Sequence, residues 1–136
     1  TPYPGTVSQL IAALDLHPTP QNTFERRKQE AIAHSHRREW EQALTAAQNA
    51  LNIETDDSLL NLCGVAAFAL KQYDDAENYY TQAITHNPDN ADAYNNRGLL
   101  RNKQGQIESA QADFEAALNI DPDFDLARQN LEKLKR

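Results

Sequence analysis

The chain has 136 residues, about one domain, and its 40% hydrophobic content supports a modest core rather than a large enzyme cavity. It carries 13 basic and 20 acidic residues, a net charge of −7. This balance argues against nucleic acid or an anionic membrane as the main partner, because both require clustered Lys and Arg. A single cysteine excludes an internal disulfide and a cysteine-built metal site. No apolar run approaches the roughly 20 residues that span a bilayer, so direct membrane insertion is not expected.

The sequence contains no methionine, so we expect that Thr1 is not a native translation start. A signal or anchor removed before Thr1 would leave no trace in this sequence. We therefore leave the compartment unassigned and expect a soluble fragment, with the cytoplasm favoured.

Residues 1–22 are predicted to form an N-terminal extension with a short amphipathic helix over roughly 7–16. Its apolar face is formed by Val7, Leu10, Ile11 and Leu14. This helix either packs on the helices that follow and covers their open end, or docks in a groove of this or another copy. We favour the first interpretation, because a stack of helices needs its ends covered.

Three pairs of helices are predicted next, over 23–37 and 40–53, 57–70 and 73–86, and 91–104 and 107–120. The last two pairs repeat one pattern with a period of 34 residues. The matching positions are Gly64 and Gly98, Ala76 and Ala110, Tyr80 and Phe114, Ala83 and Ala117, and Pro88 and Pro122. A fixed period of this size is typical of a solenoid of stacked helix–turn–helix units.

The repeated positions have a physical rationale. Glycine inside a helix costs roughly 1 kcal/mol relative to alanine, so Gly64 and Gly98 indicate that another helix approaches closely. Tyr80 and Phe114 are expected to fill the space between neighbouring units. Pro88 ends the second helix of its unit and precedes the next unit.

The first helix pair is a degenerate copy of the same pattern. Residues 40–44 align with 73–77 at an offset of 33 rather than 34. Ala31 stands where the other copies have glycine, Ala47 where they have an aromatic residue, and Thr55 where they have proline. The bounds of this first unit are therefore predicted only to within a residue or two.

The order of small, aromatic and proline positions over about residues 24–136 resembles the tetratricopeptide repeat (TPR) family. The resemblance implies an all-α, right-handed superhelical solenoid of three units, over about 23–56, 57–90 and 91–123. A C-terminal capping helix is expected over 124–136. The resemblance also implies a non-catalytic protein–protein interaction module, an adaptor or assembly scaffold that binds an extended peptide or a helix in its concave groove.

In such a superhelix the first helix of each unit lines the concave face. The inward-facing positions of the family, carried onto this chain, predict a peptide-binding groove of Lys28, Ile32, His36, Asn61, Val65, Phe68, Asn95, Asn96, Leu99, Asn102 and Lys103. The apolar members would hold side chains of a peptide, and the asparagines would bond its backbone. Alternatively, Val65 and Leu99 pack within their own repeats and leave a mostly polar surface. The sequence leaves both interpretations open.

One subclass of the family binds the acidic C-terminal tails of chaperones through a two-carboxylate clamp of Lys, Asn and Arg. Only Lys28 matches that clamp here. The other clamp positions hold Ile32, Leu62, Asp92 and Asn96. Because recognition of carboxylates needs converging positive charge, we expect that this chain does not bind such tails through that clamp.

No catalytic, metal or cofactor site is predicted. His34 and His36 are two residues apart on a helix and point to different faces, so they cannot easily share a metal ion. Cys63 falls beside Gly64 on the expected core face and reads as a small buried hydrophobe. An enzyme or cofactor carrier would need a convergent polar site that the spacing does not suggest.

The expected partner is another protein. An alternative is a self-associating scaffold, in which the N-terminal segment or the first repeat contacts another copy and forms a homo-oligomer. The weak first repeat and the amphipathic segment 7–16 motivate this alternative.

Overall fold

A computed structural model of the chain describes residues 20–136. Over this range the chain forms helices and turns and no β-strand. The helices are α1 (Pro20–His36), α2 (Trp40–Leu51), α3 (Asp57–Ala69), α4 (Tyr73–His86), α5 (Ala91–Lys103), α6 (Ile107–Ile120) and α7 (Asp125–Leu134). The predicted all-α class is confirmed, and the predicted helix over 7–16 lies outside the described residues.

The helix bounds follow the predicted ones closely. Helices α4 and α6 have the predicted bounds, and α3 and α5 end one residue earlier than predicted. Helix α1 begins at Pro20, three residues before the predicted start, because proline suits the first helical position, where the missing N–H has no helical partner in any case. The two ends of α7 lie one and two residues inside the predicted range.

The helices are arranged in two layers. Helices α1 and α2, α3 and α4, and α5 and α6 pack as pairs, and α7 packs on α5 and α6. Helices α1, α3, α5 and α7 also contact one another in succession, which defines an inner layer with α2, α4 and α6 outside it. The chain is thus a solenoid of three helix pairs closed by one further helix.

One left-handed residue sets the turn inside each pair. Arg38, Lys71 and Gly105 have φ angles of 58°, 63° and 79°, and their spacings of 33 and 34 residues equal the offsets of the sequence repeat. The next residue donates its backbone N–H to the carbonyl five residues back, at 2.9 Å for Glu39 and 2.8 Å for Gln72 and Gln106. These bonds satisfy carbonyls at the helix ends in the Schellman arrangement.

The glycines of the inner helices lie directly under the aromatic rings of the outer ones. A Cβ on Gly64 would lie 2.3 Å from Cε1 of Tyr80, and one on Gly98 would lie 2.6 Å from Cε1 of Phe114. The expectation that these rings fill the space between units is therefore incomplete, since each ring first closes the gap inside its own unit. Tyr80 also reaches the next unit, because it belongs to a buried cluster that includes Leu100.

Candidate functional site

A hollow of about 230 Å³ opens on the inner layer between α3 and α5. It is lined by Val65, Phe68, Ala69, Tyr80, Asn96 and Leu99. The structure thus brings together four of the predicted groove residues, and we call this opening the anchor hollow. Its α3 residues are spaced i, i+3 and i+4 and its α5 residues i and i+3, so each set shares one helix face.

The apolar walls of the anchor hollow are only partly buried. Val65, Phe68 and Leu99 each keep part of their surface exposed. Val65 and Phe68 also pack against the buried cluster that contains Tyr80. The two interpretations left open by the sequence therefore both hold in part, because these side chains pack on the core and still present an apolar surface.

Tyr80 forms part of the hollow from the outer layer. It comes from α4, and its ring crosses to the inner layer because Gly64 has no side chain in its path. The residue is 2% exposed, and burial raises the pKa of its hydroxyl. That hydroxyl makes no hydrogen bond to any residue between 20 and 136. From the sequence, Tyr80 is expected to be a packing residue and is not among the predicted groove residues. The sequence signal for a place in the hollow was its hydroxyl, since Phe114 at the equivalent position of the next unit has none.

Two asparagines bridge α3 and α5 beside the hollow. The side-chain Nδ2 of Asn96 donates to Oδ1 of Asn61 at 3.0 Å. The remaining amide atoms, Oδ1 of Asn96 and Nδ2 of Asn61, have no hydrogen-bond partner within the described part of the chain. They offer one acceptor and one donor to a ligand.

The predicted groove residue Lys28 is already paired. Its Nζ donates to Oδ2 of Asp56 at 2.8 Å, and this bond raises the pKa of Lys28 against the opposing effect of burial. Burial alone would raise the pKa of Asp56, but hydrogen bonds from Lys28, Ser58 and the backbone N–H of Leu59 hold it below its ordinary value. Lys28 therefore joins α1 to the start of α3.

The prediction that Asn95 offers its amide in the groove is wrong. Asn95 is 2% exposed, and its Oδ1 accepts a hydrogen bond from Nδ2 of Asn130 at 2.9 Å. Asn130 belongs to α7, so the C-terminal helix covers Asn95 and uses its polar group for packing. The family position alone did not carry this information, because the burial depends on a helix 35 residues further along the chain.

The other predicted groove residues lie outside the hollow. Ile32 is partly buried on α1, His36 is exposed at the end of that helix, and Asn102 is exposed near the end of α5. Lys103 is exposed, with its Nζ 6.0 Å from the ring centroid of Tyr73.

Tyr73 connects Lys103 to the hollow. Its ring meets the ring of Phe68 edge to face, with the centroids 5.7 Å apart. Lys103 therefore lies near the hollow, because it contacts Tyr73 and Tyr73 contacts the lining residue Phe68.

The structure also places the residues that the sequence analysis weighed as candidates for reactive or metal chemistry. Cys63 is buried, which raises its pKa to about 12, so its thiol is not a nucleophile at neutral pH. His34 faces Glu39, with Nδ1 3.4 Å from Oε1. Between residues 20 and 136, no three His, Cys, Asp or Glu side chains come together as a metal site. In the same range no helix is long and apolar enough to cross a membrane.

A buried ionic cluster was not predicted from the sequence. Asp113, which is 3% exposed, accepts two hydrogen bonds from Arg97, at 2.8 and 3.0 Å, and one from Arg101 at 3.1 Å. Arg101 also donates to Glu77 of α4 at 2.9 Å. The sequence did contain a signal for this cluster. Arg97 and Arg101 share one helix face, and the equivalent positions of the preceding unit hold Cys63 and Ala67, which are uncharged.

Comparison with known proteins agrees with this architecture. The sequence model of the family described as tetratricopeptide repeat matches residues 64–132. Protein O-mannosyl-transferase TMTC1 from Mus musculus is 35% identical over 108 residues, which are 76% of this chain and 12% of that protein. Hsp70-Hsp90 organizing protein 1 from Glycine max is 36% identical over 61 residues, or 45% of this chain and 11% of that protein. The chain thus spans only about a tenth of the length of these relatives.

Solved structures share the fold at low sequence identity. The TPR domain of Arabidopsis OM64 has a TM-score of 0.83 at 23% identity, covering 86% of this chain and 98% of that one. The second TPR domain of human RPAP3, solved in complex with the HSP70 peptide SGPTIEEVD, has a TM-score of 0.80 at 24% identity. That match covers 87% of this chain and 99% of the RPAP3 domain.

Proposed function

Since this chain belongs to the tetratricopeptide repeat family, we propose that it is a non-catalytic protein-interaction module that binds a segment of another protein along its inner layer. The observation that carries the proposal is the anchor hollow, where the inner face exposes apolar walls from two successive units. An extended peptide or a helix would place a hydrophobic side chain there. The module would then act as an adaptor or an assembly scaffold.

Peptide binding by related folds supports this proposal. The RPAP3 domain binds an HSP70 peptide, and the first TPR domain of Spaghetti is bound to the HSP90 peptide SRMEEVD. These likenesses, at 24% and 22% identity, concern the fold, so the identity of the peptide does not transfer to this chain.

The charges of the inner layer argue against an acidic C-terminal tail as the ligand. Lys28 is neutralised by Asp56 at 2.8 Å, and Asp92 is an exposed acid on α5. Asn96, which stands at another clamp position, is bonded to Asn61. Among residues 20–136, the predicted clamp positions offer a terminal carboxylate no converging cations, so we infer a ligand recognised by an apolar anchor and by its backbone.

The free amide atoms of Asn61 and Asn96 suit that backbone. An extended peptide presents alternating N–H and C=O groups, and the asparagine pair offers one acceptor and one donor. Because the pair lies next to the hollow, a peptide residue anchored there would have its own backbone groups within reach of the pair.

A displayed library of random peptides tests the proposal. The library is selected against the intact chain, and the enriched peptides are measured by fluorescence polarisation on the wild type and on Leu99→Asp. The carboxylate places a charge in the apolar wall, and we expect a loss of at least about tenfold in affinity, since removing an anchor contact costs more than about 1.4 kcal/mol. Ala112→Asp is the matched control, because Ala112 is exposed on the outer helix α6.

Circular dichroism should show equal helicity for both variants. Enriched peptides that bind Leu99→Asp as well as the wild type would place the binding surface elsewhere and overturn the proposal. Equal loss of affinity in Ala112→Asp would do the same.

A further inference from the structure

Tyr80 and Asn96 are the polar residues that line the anchor hollow, and the other four lining residues are apolar. Tyr80 is 2% exposed and lines the anchor hollow, yet its hydroxyl has no partner among residues 20–136. Among the described residues, no side-chain oxygen that is closed off from solvent lacks a hydrogen-bond partner, so this hydroxyl keeps contact with solvent through the small exposed part of the residue. Because Tyr80 lines the hollow, we expect a ligand in the hollow to be able to replace that solvent as the partner of the hydroxyl.

We propose that the anchor hollow selects a side chain with an apolar stem and a neutral hydrogen-bonding tip, and that the Tyr80 hydroxyl binds this tip. The proposal rests on the proposed function, since it names which residue of a bound peptide the groove reads. Tyrosine and glutamine are the side chains that fit the description.

The hydroxyl is not required for packing. Phe114 occupies the equivalent position of the next unit and lies over Gly98 in the same way as Tyr80 lies over Gly64. Phe114 is fully buried, so a ring without a hydroxyl satisfies the glycine contact. The glycine contact therefore does not require the oxygen of Tyr80, which belongs to one of the two aromatic residues that line the hollow, Phe68 and Tyr80.

The lining favours a neutral tip over a charged one. Among the described residues, no charged side chain lines the hollow, so a carboxylate or ammonium would lose its hydration without gaining a counter-ion. The polar atoms available are the Tyr80 hydroxyl and the unpaired Oδ1 of Asn96. Burial raises the pKa of Tyr80, so the hydroxyl stays protonated at neutral pH and can donate.

A phenol or a carboxamide complements these two atoms. Its oxygen can accept a hydrogen bond from Tyr80, and its O–H or N–H can donate to the Asn96 oxygen. The volume is also suitable, because a cavity of about 150 Å³ holds benzene, and the hollow measures about 230 Å³.

Side-chain analogues test the proposal without a known ligand. The intact chain is titrated with p-cresol and with toluene, and amide chemical shifts of Val65, Phe68 and Leu99 report occupation of the hollow. The two probes differ by one hydroxyl, so the ratio of their affinities isolates its contribution. We expect this ratio to fall roughly 2- to 10-fold in Tyr80→Phe, the value of one net hydrogen bond.

Tyr73→Phe is the matched control. Tyr73 contacts Phe68 but does not line the hollow, so the ratio should be unchanged in that variant. A second comparison uses only the wild type and does not depend on the folding of a variant. Butyramide should shift the same amides at lower concentration than butyrate or butylammonium.

The outcomes separate this inference from the proposed function. Probes that bind in the hollow with the same ratio in wild type and Tyr80→Phe would overturn the role of the hydroxyl and leave groove binding intact. Butyrate or butylammonium binding as well as butyramide would overturn the preference for a neutral tip. If no probe shifts these amides, the anchor hollow does not bind a side chain and this inference is wrong. The proposed function is tested separately, by the peptide selection with Leu99→Asp.

Discussion

Gly64 lies inside α3, where glycine costs roughly 1 kcal/mol of helix stability relative to alanine. The structure gives the compensating gain, since the ring of Tyr80 occupies the space a Cβ would need. The first unit uses the opposite solution. Ala31 and Ala47 stand at the equivalent positions, and both are completely buried in one cluster. The same place between paired helices is thus filled by two alanines, Ala31 and Ala47, in the first unit and by glycine and tyrosine, Gly64 and Tyr80, in the second.

Gly64→Ala should destabilise the protein by roughly 1–2 kcal/mol. The added methyl forces Tyr80 to move, which costs about 1–3 kcal/mol, and the gain in helix propensity offsets part of this cost. Urea unfolding followed by circular dichroism measures the difference. The double variant Gly64→Ala/Tyr80→Ala reproduces the Ala31–Ala47 pair and should lose less stability than the sum of its single variants. Simple additivity would mean that Gly64 and Tyr80 are not coupled as the structure indicates.

The turns between paired helices depend on the left-handed residues Arg38, Lys71 and Gly105. An L-residue pays about 1–2 kcal/mol in this conformation, whereas glycine pays mainly an entropic cost in the unfolded chain. A Cβ on Gly105 would meet no atom within 4 Å, so a substitution there changes backbone conformation alone.

Gly105→Ala should therefore destabilise the fold by about 1 kcal/mol, and Lys71→Gly should stabilise it by roughly 0.5 kcal/mol. Both sites are exposed, so packing changes little in either variant. Midpoints of thermal and urea unfolding give the sign of each change. A shift in the same direction for both variants would contradict the assignment of these turns.

The start of α3 contains a pH-dependent contact between the first two units. The side chain of Asp56 caps α3 by accepting from the backbone N–H of Leu59 at 2.9 Å, and it also binds Lys28. The pKa of Asp56 is lower in the folded protein than its ordinary value of 3.8. Its ionised form therefore contributes stability above about pH 4, and that contribution disappears as the pH falls through the folded pKa.

Asp56→Asn should keep the helix cap, since asparagine caps as well as aspartate, and lose the ion pair with Lys28. We expect a loss of about 1 kcal/mol or less at pH 7 for such a partly exposed pair. The difference between wild type and variant should shrink below about pH 4, as urea unfolding at pH 7 and pH 3 would show. A difference that is equal at both pH values would mean that the charge of Asp56 does not contribute.

The sequence predicts the helices well and the groove only in part, for a physical reason. Helix ends are set by local signals such as Pro88 and the cap residue Asp56, which are readable in the chain itself. Exposure in the groove depends on distant elements. Asn95 is covered by α7, and the hydroxyl of Tyr80 reaches the inner layer only because Gly64 lies beneath its ring. Neither fact follows from periodicity.

On the scale of the whole molecule, equivalent positions of the repeat make different side-chain contacts at the two interfaces between units. Between the first two units, Gln48 donates to the hydroxyl of Tyr79 at 2.8 Å. Between the second and third, Thr81 and Asp113 stand at the corresponding positions, and Arg97 donates to both. At these corresponding positions the first interface thus has a neutral hydrogen bond, and the second has a charge cluster around the buried Asp113.

Asp113→Ala should be the most destabilising single substitution at the second interface, by roughly 3–5 kcal/mol. It removes the buried acceptor that Arg97 and Arg101 share and leaves two partly buried guanidinium groups, of which Arg97 keeps only Thr81 and Arg101 keeps Glu77 among their acceptors in the described residues. Because Asp113 is almost fully buried, the loss should depend little on salt concentration. Urea unfolding at 0.05 and 0.5 M NaCl measures both quantities.

The chain itself supplies the control for this prediction. The second unit carries Cys63, Ala67 and Tyr79 at the positions of Arg97, Arg101 and Asp113. Transplanting that set, as Arg97→Cys/Arg101→Ala/Asp113→Tyr, removes the buried Asp113 and both of its arginine donors at once, and leaves Glu77, whose side chain is 34% exposed. Replacement of a complete buried ion cluster is often neutral, whereas removal of one member is not. The triple variant should therefore recover most of the stability that Asp113→Ala loses, and a triple variant as unstable as the single one would show that the arginines contribute chiefly through packing.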